Sequence, residues 1–414
     1  MDATMAADVR DRFVFERERT APPAGFPELP DIPLARYTDE AFFKAEIDRV
    51  FRASWHFAGH ESEWGGAGSY RVLDLPYAPV VVTRGRDGRL RAFLNSCRHR
   101  GAPVVRTAEG TAKLLVCQFH SWAYDLEGKL VRVQEERDFV NICKEDRSLT
   151  PVRCETWAGF VFVNLEPGAP PLREWLAPID SRFSDLMSAP YQYVTRKSYD
   201  FTCNWKVLVE AFIEAYHVET IHSQSAAPFL DNRAQVIMLH PNGHSSMFAP
   251  RAASMSEAGS AMVEMFYPPD LPRVADIPDI YYEDSTTSFS VFPNLLFPVD
   301  VNGFPLFVFT PVDVRRTRLD LLFYGLDWGG GPRPPGWETK LGAWDVLMAE
   351  DMRNMEPIQR SIDAAVRVAG QRGVPLSYQE RRIWHLHAEL DRWLGDAVPA
   401  ELRIPDLLAR YVEP

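Results

Sequence analysis

Cysteine is scarce in this chain, five in 414 residues, and the odd count excludes a framework of paired disulfides. An excess of basic charge is also missing. Lys and Arg number 45 against 57 Asp and Glu, a net charge of −12, so a polyanion such as nucleic acid is excluded as an expected partner. No apolar run approaches the roughly 20 residues that a membrane span requires. The segment from Met1 to Arg19 is charged and carries neither an apolar signal core nor a twin-arginine signal. These absences predict a cytoplasmic protein with no membrane partner. Neither an internal repeat nor a low-complexity tract is present. The remaining composition, 46% hydrophobic and 25% charged, is that of a globular protein, and the length suits two domains.

The few cysteines are not scattered. Two stand beside histidines, in Cys97-Arg98-His99 and, after seventeen residues, in Cys117-Gln118-Phe119-His120. Two thiolates for one iron and two imidazoles for the other are what a Rieske [2Fe–2S] cluster needs. A structural zinc site of two Cys and two His is the competing reading. Zinc fingers favour Cys-x-x-Cys and His-x3-His pairs, whereas here each Cys has its His in its own loop. Cys143, Cys154 and Cys203 are expected to be small buried hydrophobes.

Residues 1–37 are Pro-rich and weakly patterned, which predicts an extended arm. Thr38 to Ser54 reads as a helix capped by Thr38, with Phe42, Phe43, Ile47, Val50 and Phe51 on one face. From Tyr70 the pattern alternates as strands do, with a hairpin signal at Gly85-Arg86-Asp87-Gly88. An all-β domain over 46–166 follows, preceded by an arm and helix (1–45) that pack on the C-terminal domain, 167–414. In that domain a helix from Trp205 to His222 precedes aromatic-rich strands, and a long helix covers about Glu338 to Val368. An antiparallel sheet carrying a long helix is an α+β architecture.

The helix sequence NWKVLVEAFIEAYHVETIH places Glu210, Glu214 and His217 on one face, at i, i+4 and i+7. His222 reaches the same space if the helix loosens before it. Two histidines and one carboxylate form the facial triad of non-haem Fe(II) oxygenases, which leaves positions open for O₂. The pairs His240/His244, His385/His387 and His56/His60 read as structural. Phe289, Phe292, Phe297, Phe304, Phe307 and Phe309 read first as sheet core.

Cys97-Arg98-His99-Arg100-Gly101-Ala102-Pro103 and Cys117-Gln118-Phe119-His120-Ser121-Trp122-Ala123-Tyr124 resemble the cluster loops of ring-hydroxylating oxygenase α subunits. Gln118-Phe119 departs from the usual Pro-Tyr, and Ser121 from the usual Gly. Respiratory Rieske proteins carry a further Cys in each loop, where Ala102 and Phe119 stand here. The stretch from Asn204-Trp205-Lys206 to His217 and His222 resembles the catalytic motif of the same family, and LMAEDMRNMEPIQ resembles its C-terminal helix. The resemblance implies an N-terminal all-β Rieske domain and a C-terminal helix-grip catalytic domain.

It further implies a cluster held by Cys97, His99, Cys117 and His120, and a mononuclear Fe(II) held by His217, His222 and Asp351. Glu350 is the neighbouring acid, about 100° away on an ideal helix, so only one of the two can face the iron. Glu214, where many members have Asp, is implied as the bridge from an iron-ligand His to the Rieske His of a neighbouring subunit. The implied protein is a terminal oxygenase fed with NAD(P)H electrons by a reductase, with or without a ferredoxin. It is expected as a homotrimer or with β subunits (α3β3), hydroxylating or dealkylating an aromatic or amine-type molecule. Two other readings are a Rieske electron carrier with an inert second domain, and a di-iron enzyme built on the overlapping Glu214-x-x-His217 and Glu219-x-x-His222 motifs.

Overall fold

Val80, Val81 and Val82 are all fully buried, so both faces of their strand lie in core rather than one facing water. Val81 packs with Phe93, Leu115, Trp122 and Tyr124, while Val80 and Val82 pack with Trp64, Val161 and Val163. This is the centre of one of two compact units in the computed structural model, Arg52–Trp175. The other unit joins Met1–Phe51 to Leu176–Pro414. The boundaries read from sequence were 46 and 166. The structure describes all residues except 2, 276, 369–372 and 414.

The unit Arg52–Trp175 holds a seven-stranded antiparallel sheet. Its strand order is His56–His60, Phe160–Asn164, Pro151–Trp157, Leu90–Leu94, Ala78–Arg84, Ser69–Leu75 and Glu109–Thr111. A three-stranded sheet, Leu115–Val116, Ala123–Tyr124 and Leu130–Arg132, carries the second Cys/His loop on its first turn. The expected hairpin at 85–88 forms: Gly85 N–H donates to Arg89 O at 2.8 Å, and Gly88 takes the left-handed φ of 78°.

The second unit is built on a seven-stranded antiparallel sheet. In spatial order it runs Tyr191–Phe201, Arg316–Leu326, Phe304–Asp313, Leu295–Val299, Ser285–Val291, Ser245–Pro250 and Val236–Leu239. The long helix runs Gly336–Arg367 and packs on the short helix Trp205–Phe212. Phe307 of the sheet joins all three elements, its ring 5.2 Å from Phe212 and 5.9 Å from Trp344. The α+β fold class expected from sequence is the observed one.

Several local expectations change. Residues Ala3–Glu18 form a helix, not part of an extended arm, and bury Ala6, Val9, Phe13 and Glu16. That stripe is narrow and small, and charges fill the rest of the helix. The next helix is capped by Asp39, whose side chain accepts from Phe42 N, rather than by Thr38. It continues as a π-helix over Glu46–Phe51. Cys203 is buried, but Cys154 is only partly so and Cys143 is exposed.

Candidate metal centres

The two Cys/His loops fold alike. Cys97 N–H donates to Ala102 O at 2.8 Å and Cys117 N–H to Trp122 O at 2.9 Å. In each loop the fourth residue after Cys bonds back to the Cys carbonyl, Gly101 to Cys97 and Ser121 to Cys117, both at 2.9 Å. Both residues are left-handed, with φ of 77° and 56°. Glycine takes that conformation freely, whereas Ser121 carries a Cβ into it at a cost of about 1 kcal/mol. The Ser-for-Gly departure therefore lies where the backbone favours glycine.

Both thiols are buried, and the His99 and His120 rings lie 4.6 Å apart, partly exposed. His99 stacks on Trp122, 4.8 Å between centroids and 12° between planes. Tyr124 Oη sits 3.3 Å from Cys97 Sγ and accepts from Arg98 N at 2.9 Å. Asn95 fixes the first loop from below, accepting from Val104 and Val105 N–H and donating to Val105 O. His99 Nδ1 is buried with no hydrogen-bond partner. Burial, and then the neighbouring His120 and Arg100, draw the His99 pKa down. Two thiols and two imidazoles, one with an unpartnered buried nitrogen, fit a [2Fe–2S] cluster.

The second centre begins at Asn204. Its side chain caps the helix, accepting from Lys206 N at 3.1 Å, and its Nδ2 donates to Val314 O. Trp205 Nε1 and Lys206 Nζ both donate to the fully buried Glu46 carboxylate, at 3.0 and 2.8 Å. The Asn-Trp-Lys motif thus pins the helix start to the Glu46–Phe51 turn. The continuous helix expected to His222 does not form; it stops at Phe212 and resumes over Val218–Ile221. The cause is Glu214. Its carboxylate accepts from the backbone N–H of Tyr216 and, at 3.3 Å, of His217, in competition with the helical carbonyls.

That break brings His217 and His222 together with Asp351 of the long helix. His222 Nε2 lies 3.1 Å and His217 Nε2 3.5 Å from Asp351 Oδ1, and one ligand atom from each residue lies within 4.8 Å of the other two. The far nitrogens are held by other acids. Glu214 Oε1 takes His217 Nδ1, and Glu350 Oε2 takes His222 Nδ1 at 2.8 Å while accepting from Ser225 Oγ. Sequence reasoning weighed Glu350 only as a rival ligand; its contact with Nδ1 has no sequence signal of its own. With each Nδ1 held by a carboxylate, both Nε2 atoms face the shared space beside Asp351, a donor set that fits Fe(II). Burial opposes protonation of His222, but Asp351 and Glu350 outweigh it and raise its pKa.

Glu210, expected on the face of Glu214 and His217, turns elsewhere. Tyr37 Oη donates to its Oε2 at 2.9 Å, and His387 Nε2 meets its Oε1 at 2.8 Å. Burial pushes its carboxyl up to about 8 and draws His387 well below the usual imidazole range. His240, His385 and His387 are buried and structural in their contacts. Two cavities border the three-residue centre. One, of about 360 Å³, reaches Glu210 and Tyr37. The other, of about 160 Å³, lies over the sheet and is walled by Phe212, Met247, Leu296, Phe307 and Trp344. Of the six phenylalanines read as sheet core, Phe307 borders this cavity.

Residues 188–396 match the ring-hydroxylating α subunit (catalytic domain) family, and residues 54–144 match the Rieske [2Fe–2S] domain. The first match covers half the chain. The chain belongs to the ring-hydroxylating α-subunit family. The cofactor pair expected from sequence, a Rieske cluster and a mononuclear non-haem iron, is that of this family. A biphenyl 2,3-dioxygenase α subunit from Rhodococcus jostii is 36% identical over 190 residues, 44% of this chain and 41% of that protein. The oxygenase subunit of carnitine monooxygenase from Escherichia coli is 35% identical over 196 residues, 46% of this chain and 52% of that one. These alignments therefore span about half the length of the curated relatives. Among solved structures, a quaternary ammonium Rieske monooxygenase with L-carnitine superposes with a TM-score of 0.72, at 22% identity, over 89% of this chain and 96% of that one. Naphthalene 1,2-dioxygenase from Rhodococcus sp. gives 0.71 at 19% identity, over 96% and 100%. At such identities the likeness is one of fold.

Proposed function

We propose that this chain is the terminal oxygenase of a multicomponent Rieske system, hydroxylating or oxidatively dealkylating an aromatic or amine-type small molecule with O₂. The observation that carries the reading is the presence of two different metal-binding sets in one chain: two Cys with two His, and two His with one Asp. An electron carrier has use for the first set only. A di-iron enzyme needs Glu-x-x-His motifs on two helices, whereas here Glu214 and Glu350 are spent on Nδ1 atoms.

Cys97, His99, Cys117 and His120 would hold the cluster, and His217, His222 and Asp351 the iron. When bound, these groups supply single electrons and the activation of O₂. The protein's own work is positional. Glu214 and Glu350 fix the two imidazoles, Asp351 supplies the negative charge, and the apolar walls of Phe307 and Trp344 exclude water. Glu214 faces the 360 Å³ cavity and is the residue we assign as the bridge to a Rieske histidine of a neighbouring subunit. A homotrimer, alone or with β subunits, follows from that role, as head-to-tail contacts close by rotation into a ring. The electron donors would be a reductase and, in some systems, a ferredoxin. The five cysteines, all free, suit the reducing cytoplasm; among the described residues no helix is long and apolar enough to cross a membrane.

Metal analysis and oxygen consumption test this together. Three irons per chain and substrate-stimulated O₂ uptake with a Rieske reductase are expected. Two irons and no uptake across a panel of arenes, anilides and betaines would leave a carrier.

A further inference from the structure

Arg382 lies on the helix Arg381–Leu394 with its side chain 1% exposed. A guanidinium has five N–H donors and no acceptor. Here Nε donates to Ser245 Oγ at 2.8 Å and Nη1 to Ser288 Oγ at 3.4 Å, whereas Nη2 is buried with no partner. No carboxylate among the described residues pairs with it, and the charged group that most affects it is Arg381, of like sign. Burial draws its pKa down to about 9, so it keeps its charge at neutral pH. A buried cation without an anion is costly, and native proteins pair such groups or bind an ion with them.

The three cations of this unit that are wholly buried have close acid partners. Arg36 meets Asp391 at 2.7 Å, Lys206 meets Glu46, and Lys340 meets Asp300 at 2.6 Å. Arg382 has only hydroxyls, and these lie on one sheet face. Ser245 and Ser290 are opposed across neighbouring strands, their Oγ atoms 2.7 Å apart, and Met247 is opposed to Ser288 on the same pair. Met247 and Ser288 also line the 160 Å³ cavity, which the iron-site residues His217, His222 and Asp351 border. The remaining ionisable group of that lining is Glu214. The lining therefore carries no Lys or Arg, and the Arg382 guanidinium stands behind the Ser288 hydroxyl.

We propose that Arg382, with Ser288, anchors a substrate carboxylate, so that the cavity takes a small apolar body bearing one carboxylate. The inference rests on the oxygenase reading and narrows it. The carboxylate accepts from the Ser288 hydroxyl and is held by the guanidinium charge behind it, the body packs against Met247, Phe307 and Trp344, and the carbon to be oxidised lies toward His217, His222 and Asp351. An aryl carboxylate and a trimethylammonium carboxylate share this chemistry. A neutral arene would leave Arg382 unpaired in the complex as well.

Calorimetric titration of the oxidised, metal-loaded protein tests the anchor without turnover. The probes are benzoate, 3-phenylpropionate, carnitine, toluene and the methyl ester of each of the three acids. At least one acid should bind ten-fold or more tighter than its ester, and which acid does so separates the aryl from the ammonium source. In Arg382→Met that preference should vanish. In Arg382→Lys, which keeps the charge without the fork, part of it should remain. Arg382→Met should also melt no lower than wild type, since an unpaired buried charge has been removed; a purely structural guanidinium predicts a lower melting temperature. Should Arg382→Met fail to fold, the acid and ester pairs in wild type decide alone. Esters or toluene binding as tightly as the acids, or an acid preference intact in Arg382→Met, overturns the anchor. The oxygenase reading fails separately: an Arg382-dependent acid that elicits no O₂ uptake refutes that reading and leaves the anchor standing, whereas uptake with toluene alone does the reverse.

Discussion

Replacing Glu350 by glutamine isolates the role of a carboxylate that touches a metal-binding histidine from behind. Glu350 Oε2 lies 2.8 Å from His222 Nδ1, and Ser225 Oγ donates to the same oxygen. His222 is 4% exposed, so water does not substitute for this partner. The carboxylate holds the proton on Nδ1, leaves the lone pair on Nε2, and makes the ring a stronger donor. The amide of Gln can still accept through its oxygen but brings no charge. Losing such a partner costs typically ten- to a hundred-fold in metal affinity, about 1.4–2.7 kcal/mol. Burial and the single short contact place Glu350→Gln toward the upper half of that range. Glu350→Ala goes further, because it strands a buried N–H and frees the other tautomer, adding about 1–3 kcal/mol.

The measurement is Fe(II) affinity at the mononuclear site, by competition with a chelator, with the visible absorption of the Rieske cluster as an internal reference. The expected order is wild type, then Glu350→Gln, then Glu350→Ala, with Asp351→Ala weakest. Glu350→Gln at wild-type affinity would falsify the orienting role. A Glu350→Ala protein devoid of iron beside an Asp351→Ala protein that retains it would make Glu350 the ligand and overturn the assignment of Asp351.

Two further outcomes are expected. Cys117→Ser or His99→Ala should abolish the electron paramagnetic resonance of the reduced cluster while iron bound at His217, His222 and Asp351 persists; an unchanged signal in either variant sinks the cluster assignment. Glu210 titrates at about 8 when folded and near 4.5 ordinarily, so its contribution to stability is full below pH 4.5 and lost as pH rises through 8. The wild-type melting temperature should accordingly fall relative to Glu210→Gln between pH 5 and 8.5, by a stability difference of at most about 5 kcal/mol, and parallel curves refute the buried protonated acid.

The cluster loops were legible because their four residues lie within twenty-four positions and the two turns repeat one conformation, down to the left-handed fourth residue. The α+β class was legible from the alternating and helical periods. Asp351 was visible only through resemblance, since nothing local couples it to histidines more than a hundred residues earlier. The break after Phe212 was hidden because the apolar spacing of the helix continues through it, and only the Glu214 carboxylate bonding to Tyr216 and His217 N–H ends it. The helix Ala3–Glu18 was hidden for the opposite reason. Its buried stripe, Ala6, Val9, Phe13 and Glu16, is too narrow and too polar to stand out against its charges. Arg382 carries no signal in sequence, where it is one of two adjacent arginines on an amphipathic helix; its meaning comes from the hydroxyls and the absence of an acid around it.

Two adjacent acids on one helix serve the two nitrogens of one ring at the three-residue centre. Glu214, Glu350 and Asp351 bring three carboxylates to two imidazoles. Residues 350 and 351 project about 100° apart on the helix. That angle puts one acid on each side of the His222 ring, Asp351 at Nε2 and Glu350 at Nδ1. A single acid in either place would leave the ring free to turn or the shared space without an oxygen donor. His217, His222 and Asp351 would hold a divalent cation, whose charge would answer the gathered acids. Arg382 is the complementary excess, one buried positive charge with no acid, behind the same cavity. A cavity with surplus acid on one wall and surplus guanidinium behind another is polarised along its length. Such a field turns an asymmetric substrate one way, carboxylate toward Ser288 and apolar end toward the histidines, before any bond is broken.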